Sequence, residues 1–271
     1  MDTFSVPAVL SIAGSDSSGG AGIQADIKTI AAHGLFAETA ITALTAQNTT
    51  GVRDVLEATP EFVGEQIDAV FEDIPPAAVK IGMVSSAGII ETIAQRLERW
   101  HAVDIVVDPV MVATSGARLI NGDATAALTR DLLPLARVIT PNIPEATALT
   151  GRAISDAAGQ EAAARELSSR FGCAVLVKGG HGVADANDVL AEPAGTAGPR
   201  ITWFRHERIG TGNTHGTGCT LSSAIACGLA QGLELAAAVE QAKAYLTGAL
   251  AAGLDLGRGS GPVDHMWRHR G

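Results

Sequence analysis

No segment of this 271-residue chain reaches the roughly 18 consecutive apolar residues that a membrane helix needs. Cysteine is scarce: three in the whole chain cannot build a disulfide scaffold. Aromatics make up 4%, with one Tyr, three Trp and six Phe, so few rings could stack on bases. Basic residues are also in deficit. Against 29 Asp+Glu there are 19 Lys+Arg, a net charge of −10, which opposes a nucleic-acid partner. Charged residues reach only 18% while apolar ones reach 46%, which excludes intrinsic disorder. No close Cys/His pair has zinc-ligand spacing. The first seven residues carry Asp2 and no basic residue, unlike a secretory signal. The expectation is a cytoplasmic protein with reduced thiols. No linker, repeat or charge block interrupts the chain, so one domain over 1–271 is expected.

What is present alternates. Short Val/Ile-rich runs at Val9–Ala13, Thr39–Leu44, Val79–Ile81, Asp104–Val107, Arg137–Ile139 and Ala174–Val177 read as strands covered on both faces. Between them, Gly22–His33, Pro60–Phe71, Ala87–Trp100, Asp123–Leu132 and Asp156–Phe171 read as helices. In the last of these Asp156 can cap, and Ala163, Leu167 and Phe171 share a face. Asp188–Arg205 reads as short strands around a loop at Pro193–Pro199. Helices at Thr217–Gln231 and Leu235–Ala252 follow, then an irregular polar tail from Gly257. Repeated β–α units predict an α/β fold: a mostly parallel sheet with helices on both faces.

Polar residues collect just after the strands: Gly14-Ser15-Asp16, Asp108-Pro109-Val110-Met111, Thr140-Pro141-Asn142 with Glu145, and Lys178-Gly179-Gly180-His181. In open α/β sheets ligands bind at that edge. Asp108 and Glu145 could hold Mg²⁺, which takes one or two carboxylates plus water and phosphate oxygens; each could equally be a cap or a surface charge. Lys178 could pair a phosphate or simply be exposed.

Two glycine-rich stretches lead into helices. In Asn213-Thr214-His215-Gly216-Thr217-Gly218-Cys219-Thr220, the glycines around Thr217 let successive amides point outward at a helix N-terminus, an anion site. It is not a Walker A loop, since no Gly-Lys-Ser/Thr follows. Cys219 falls in the first turn, where the helix dipole is expected to lower its pKa, so it could be a base or nucleophile, or simply a small apolar filler. Cys173 and Cys227 read as core fillers. In Ala13–Lys28 the glycine spacing does not fit the dinucleotide fingerprint. Gln24 and Asp26 lie two apart and cannot share a helix face, so Asp26 reads as a solvated first-turn carboxylate.

Taken jointly, AGSDSSGGAGIQADIK (13–28), ITALTAQN (41–48), KIGM (80–83), VDPVM (107–111), TPNIPE (140–145), KGGH (178–181) and NTHGTGCT (213–220) make the chain resemble the ribokinase-like superfamily, in its hydroxymethylpyrimidine/phosphomethylpyrimidine kinase branch. The resemblance covers nearly the whole chain. It implies a ribokinase-like α/β/α fold and ATP-dependent phosphorylation of 4-amino-5-hydroxymethyl-2-methylpyrimidine, then of its monophosphate, in thiamine biosynthesis. It further implies that Gly216, Thr217, Gly218 and Cys219 form an anion hole, with Cys219 where sugar kinases place an Asp base. Gln47 and Asp26 would hydrogen-bond the aminopyrimidine, with Gly14 and Val110 lining its pocket. Asp108 and Glu145 would serve Mg²⁺, while Lys178, Asn142 and Thr214 would lie by the nucleotide. A homodimer is implied, with no nucleic-acid or membrane partner.

Two positions depart from the branch's pattern: Gly212 precedes Asn213, and Gly182 follows His181. The rival readings are a pyridoxine/pyridoxal kinase or bifunctional kinase of the same superfamily, and a ligand-binding module without catalysis on the same fold.

Overall fold

The computed structural model describes residues 6–111, 122–180, 186–195 and 198–270. Its nine strands are β1 (Ala8–Asp16), β2 (Phe36–Asn48), β3 (Gly51–Glu57), β4 (Ala78–Ile81), β5 (Ile105–Val107), β6 (Val138–Ile139), β7 (Ala174–Val177), β8 (Asp188–Glu192) and β9 (Arg200–Phe204). They form one sheet in the order β3-β2-β1-β4-β5-β6-β7-β8-β9. The six from β2 to β7 along that order pair in parallel, and β3, β8 and β9 are antiparallel. The helices are α1 (Gly22–Ala32), α2 (Pro60–Asp73), α3 (Ala87–Arg99), α4 (Gly122–Ala127), α5 (Ile143–Thr150), α6 (Ala157–Phe171), α7 (Thr217–Ala230) and α8 (Leu235–Ala251).

The mostly parallel α/β sheet expected from the alternation is the one observed. Asp156 caps α6, accepting from the Gly159 amide at 2.7 Å, and Ala163, Leu167 and Phe171 are buried. Two elements escaped the pattern. β3 is a charged edge strand, and α5 is a short helix begun by a capping box in which Asn142 and Glu145 bond each other's backbone amides. His181, Gly182 and residues 196–197 of the Pro193–Pro199 loop lie outside the described residues.

Strand side chains alternate between two cores. Leu10, Ile12, Val79, Ile81, Ile105 and Val107 pack under α2, α3 and α6, while Val9, Ala78 and Val106 pack under α1, α7 and α8. The chain leaves β1 through α1 to reach β2 on one side, then returns through α2 to β4 on the other. Connections therefore diverge at the carboxyl ends of β1 and β4, which opens a crevice there. Cys173 and Cys227 are buried in the two cores, as fillers.

One core group is out of keeping with its neighbours. Glu38, on β2 beside Leu10, is buried, and its Oε2 has no hydrogen-bond partner. Burial pushes its carboxyl up to about 7. The folded state then holds a proton more tightly than the unfolded chain, so stability falls as pH rises from about 4.5 to 7. Glu38→Met removes the orphan. It should stabilise the protein by on the order of 2 kcal/mol at pH 8 and much less at pH 5. Urea unfolding at the two pH values reads this directly; an equal effect at both would refute it.

Candidate active site

The loop between β1 and α1 is wound around Asp16. Its carboxylate accepts from the Ser18 amide and hydroxyl at 2.8 Å each, from the Gly20 amide at 3.1 Å and from the Ala21 amide at 2.8 Å. Ser17 Oγ donates to the Gln47 carbonyl at 2.7 Å and accepts from the Gln47 amide at 2.8 Å, pinning the end of β2 to this loop. Gly14 stands on the same strand end. A Cβ there would lie 2.5 Å from Met83 Cε, so glycine keeps this wall of the crevice low. Gln47 and Gly14 therefore come together, as expected.

The turn leading into α7 closes onto that loop. Gly216 has φ +81°, and a Cβ on it would stand 1.9 Å from the Gly20 carbonyl oxygen, so only glycine fits. No side chain caps α7, and the amides of its first turn have no partner within the helix. The Thr217 amide turns back to the Thr214 carbonyl at 3.3 Å, and the positive end of the dipole lies over Gly216–Cys219, an arrangement that could meet an anion.

Facing the turn are Asp108 and Lys178. Lys178 Nζ donates to Asp108 Oδ1 at 2.7 Å, and Thr140 Oγ1 donates to the same oxygen at 3.0 Å. Burial works against the Lys178 charge, but Asp108 and then Glu145 hold the ammonium form. A Cβ on Gly218 would lie 2.9 Å from Asp108 Oδ2 and 3.5 Å from Lys178 Nζ, so the turn and the ion pair are in van der Waals contact. Asn142 bridges to Lys178 through the backbone and caps α5. Val110 follows, half-buried, with its amide on the Asp108 carbonyl at 2.8 Å. Thr214 is exposed at the mouth, 3.1 Å from Ser260 Oγ.

Two expectations are corrected. Asp26 is not a solvated carboxylate. It is 0% exposed, and it accepts from Ser11 Oγ at 2.6 Å, Lys80 Nζ at 2.8 Å and Ser223 Oγ at 2.7 Å. Both of its oxygens are committed inside the protein, beneath the α1–α7 contact. The Cys219 thiol is not activated by the dipole either. Burial, Asp26 and Asp108 push it up to about 11, outweighing Lys80 and the Gly22 amide, which favour the thiolate. The dipole argument fails because a first-turn thiol must also be hydrated to ionise, and this half-buried one feels the negative charge of two carboxylates.

Two contributors went unread in the sequence. His215 is buried, with Nε2 2.7 Å from Asp16 Oδ2 and 3.4 Å from Gln47 Nε2. Lys80 is 0% exposed and pairs with Asp26. Both stood inside quoted motifs. The available signal was a charged residue in an otherwise apolar strand, and a histidine beside the anion-binding turn.

The residues present fit a divalent cation of the Mg²⁺ type only in part-protein coordination. Among the described residues, no group of three or more His, Cys, Asp or Glu could cage a metal. Asp108 keeps Oδ2 clear of Lys178 and Thr140. Burial raises the Glu145 carboxyl to about 7, with Lys178 opposing and Asp108 adding to the shift. Two carboxylates that share one lysine suit a hard cation that brings its own waters and phosphate oxygens. Glu145 also serves the α5 capping box, which ties that carboxylate to a helix end.

An uncapped helix turn over an Asp–Lys pair, at the diverging strand ends of such a sheet, defines a ribokinase-like small-molecule kinase. The family described as Phosphomethylpyrimidine kinase matches residues 16–264. A hydroxymethylpyrimidine/phosphomethylpyrimidine kinase of Rhizobium meliloti is 52% identical over 263 residues, 96% of this chain and 97% of that one. A crystal structure of phosphomethylpyrimidine kinase from Clostridium difficile 630 superposes with a TM-score of 0.78 at 45% identity, covering 89% of this chain and 98% of that one. A Bacillus subtilis pyridoxal kinase in an ADP complex gives a TM-score of 0.89 at 33% identity, covering 98% and 99%. The chain belongs to the phosphomethylpyrimidine kinase family.

Two substitutions test this geometry. Asp26→Asn leaves Lys80 buried and uncompensated, and should lower stability by about 3–5 kcal/mol in chemical denaturation. A variant that lost only ligand affinity, at full stability, would restore Asp26 as a ligand group. Gly218→Ala forces Asp108 away from the turn. It should cut kcat about a hundredfold while the melting temperature stays near that of the wild type. Unchanged turnover would show that the contact between the turn and the ion pair is irrelevant to phosphoryl transfer.

Proposed function

We propose that this chain phosphorylates 4-amino-5-hydroxymethyl-2-methylpyrimidine from ATP, and then phosphorylates the monophosphate, in thiamine biosynthesis. The observation that carries the reading is the Gly216–Cys219 turn, packed on one side against Asp108–Lys178 and on the other against the loop that holds Gln47. Phosphoryl transfer asks for positioning and charge stabilisation more than for covalent chemistry. The turn amides meet the charge of the transferred group, and Lys178, with Asn142 and Thr214 at the mouth, meets the nucleotide phosphates. Gln47 offers one donor and one acceptor side by side, matching an aminopyrimidine edge, and Gly14 and Val110 flank the ring. Mg²⁺ at Asp108, with Glu145 behind it, would neutralise phosphate charge.

Cys219 lies at the junction of the two halves and acts on the acceptor. The first acceptor is an alcohol that must lose a proton, whereas the second is a phosphate monoester already largely dianionic at neutral pH. General-base help is typically about 10²- to 10⁴-fold. Cys219→Ala should therefore slow the first step far more than the second in single-turnover assays. Because the thiol ionises near 11, the wild-type first-step rate should climb between pH 7 and 9, a rise the variant lacks. Equal losses in both steps, or a rise kept in the variant, would leave Cys219 as a wall of the anion hole only.

Pyridoxal is a second candidate acceptor, favoured by the high structural similarity to a pyridoxal kinase. An ADP-release assay across the pyrimidine, its monophosphate and pyridoxal separates the two activities, and kcat/KM ranks them. Binding without ADP production would support a non-catalytic module instead. We assign the protein to the cytoplasm as a homodimer. No described helix is long and apolar enough to cross a membrane, and the edge strand β3 exposes Val55 and Leu56 as a surface for a second copy.

A further inference from the structure

We propose that His215, held by Asp16, is a positioning residue that sets which way the Gln47 carboxamide faces and so makes Gln47 selective for a ring bearing an exocyclic amine. This rests on the pyrimidine-kinase reading and deepens it.

His215 is fixed on every side. Its amide donates to the Gly261 carbonyl at 3.0 Å, and its backbone bridges to Pro262. The next residue is the left-handed Gly216. A Cβ on Gly20 would lie 2.5 Å from His215 Cδ2, so the ring is pressed flat on the β1–α1 loop. Its Nε2 is 2.7 Å from Asp16 Oδ2. Asp16 is an ionised acceptor: burial pushes its carboxyl up, but His215 and the Ser18 and Ala21 donors override this and hold it well below the usual carboxylate range. An acceptor-only partner requires the proton on His215 Nε2.

Gln47 lies between His215 and Thr45. As placed, its nitrogen is 3.4 Å from His215 Nε2, and its oxygen is 3.2 Å from Thr45 Oγ1. That arrangement sets a donor against a donor. The single Thr45 hydroxyl proton has a better acceptor, the Ser15 carbonyl at 2.8 Å, which leaves Thr45 Oγ1 to act as an acceptor toward Gln47. Carboxamide oxygen and nitrogen are assigned by their partners. Turned through 180°, the oxygen faces the His215 N–H, whose main acceptor stays Asp16 at 2.7 Å, and takes a minor share of it at 3.4 Å, while the nitrogen meets the Thr45 lone pair. The clash of donors is then relieved and Thr45 gains a partner. One lone pair and one N–H of Gln47 remain for a ligand, in a fixed order. A ring nitrogen beside an exocyclic amine supplies the complementary pair. A ring without the amine leaves the Gln47 oxygen unmatched, and sites built for a hydrogen bond penalise ligands that lack it.

Two measurements test this. In ¹⁵N-histidine protein, the His215 ring, assigned by its shift in Gln47→Ala, should show a protonated Nε2; a bare Nε2 would overturn the proposal whatever the activity. Calorimetry should compare 4-amino-5-hydroxymethyl-2-methylpyrimidine with its analogue lacking the amine, in wild type, His215→Phe, Gln47→Ala and the double variant. Discrimination between the two ligands should fall about tenfold in His215→Phe, and change less than about twofold when that substitution is added to Gln47→Ala. Equal weakening toward both ligands, or additive effects, would make His215 merely structural. If His215→Phe does not fold, Thr45→Val removes the other orienting partner and should lower discrimination in the same way. If the wild type binds neither ligand, the functional reading fails, while the ring-nitrogen measurement still decides how Gln47 is oriented.

Discussion

The cleft depends on one buried contact, the meeting of α1 and α7 over the Asp26–Lys80 pair. Two rungs join the helices there. The Gly22 amide interacts with the Cys219 sulfur, and one turn further along Asp26 accepts from Ser223. Gly22 and Asp26 are four apart on α1, and Cys219 and Ser223 are four apart on α7, so each pair shares a helix face. Lys80 and Ser11 reach Asp26 from β4 and β1, which ties the helix pair to the sheet. A buried ion pair contributes little net stability against an apolar equivalent, but it admits few alternative geometries. That suits a place where the position of the anion-binding turn is set by which helix faces meet. The close approach of Gly216 to the Gly20 carbonyl then fixes the same crossing from outside.

A chain with net charge −10 has to attract polyanions without a basic surface. The groups available for this are a helix N-terminus and one lysine, both at the carboxyl edge of the sheet. Lys178 is already paired with Asp108, so little bare positive charge faces the crevice. A phosphate entering here would compete with Asp108 for Lys178 and free a carboxylate oxygen. Exchange of partners of this kind couples a cation and a phosphate to the same ion pair, because each relieves what the other leaves uncompensated. Glu145, raised by burial beside Asp108, marks where negative charge is in excess.

Much of this was legible in the sequence, for identifiable reasons. The parallel strands showed because both faces are buried, and α6 because Asp156 caps it and its apolar residues repeat at four. The turn into α7 showed because glycines flank Thr217. β3 was hidden by its exposed Arg53, Asp54 and Glu57, since an edge strand facing water loses the apolar signal. α5 was hidden because little more than two turns of helix carry too little periodicity. Asp26 was misread because position in a helix says nothing of what lies across it. Here the partners come from β1, β4 and α7, up to 197 residues away. Cys219 was misread in sign for the same reason. The dipole is a local property and can be read in sequence, but desolvation is set by the tertiary neighbours and outweighs it.

The scarcity of aromatic residues bears on how the cleft recognises its ligand. The single tyrosine, Tyr245, is on the buried face of α8 with its hydroxyl on the His265 carbonyl. Trp100 stacks on Phe71, Trp203 donates to Glu161, and Trp267 packs beside Tyr245. These rings are spent in the cores and at their margins. On the proposed reading a flat heterocycle would lie between Gly14, Met83 and Val110, with polar groups at its rim. Apolar contact of that kind distinguishes rings poorly, since one group more or less is worth only about 10- to 200-fold. Hydrogen-bonding partners distinguish them far better, but only if their donors and acceptors cannot reorient to suit the wrong ligand. The five donors gathered on Asp16, one of them His215, supply that rigidity at the rim. On the proposed reading, the selectivity of such a cleft would rest on the rigidity that the buried Asp16 carboxylate gives this rim.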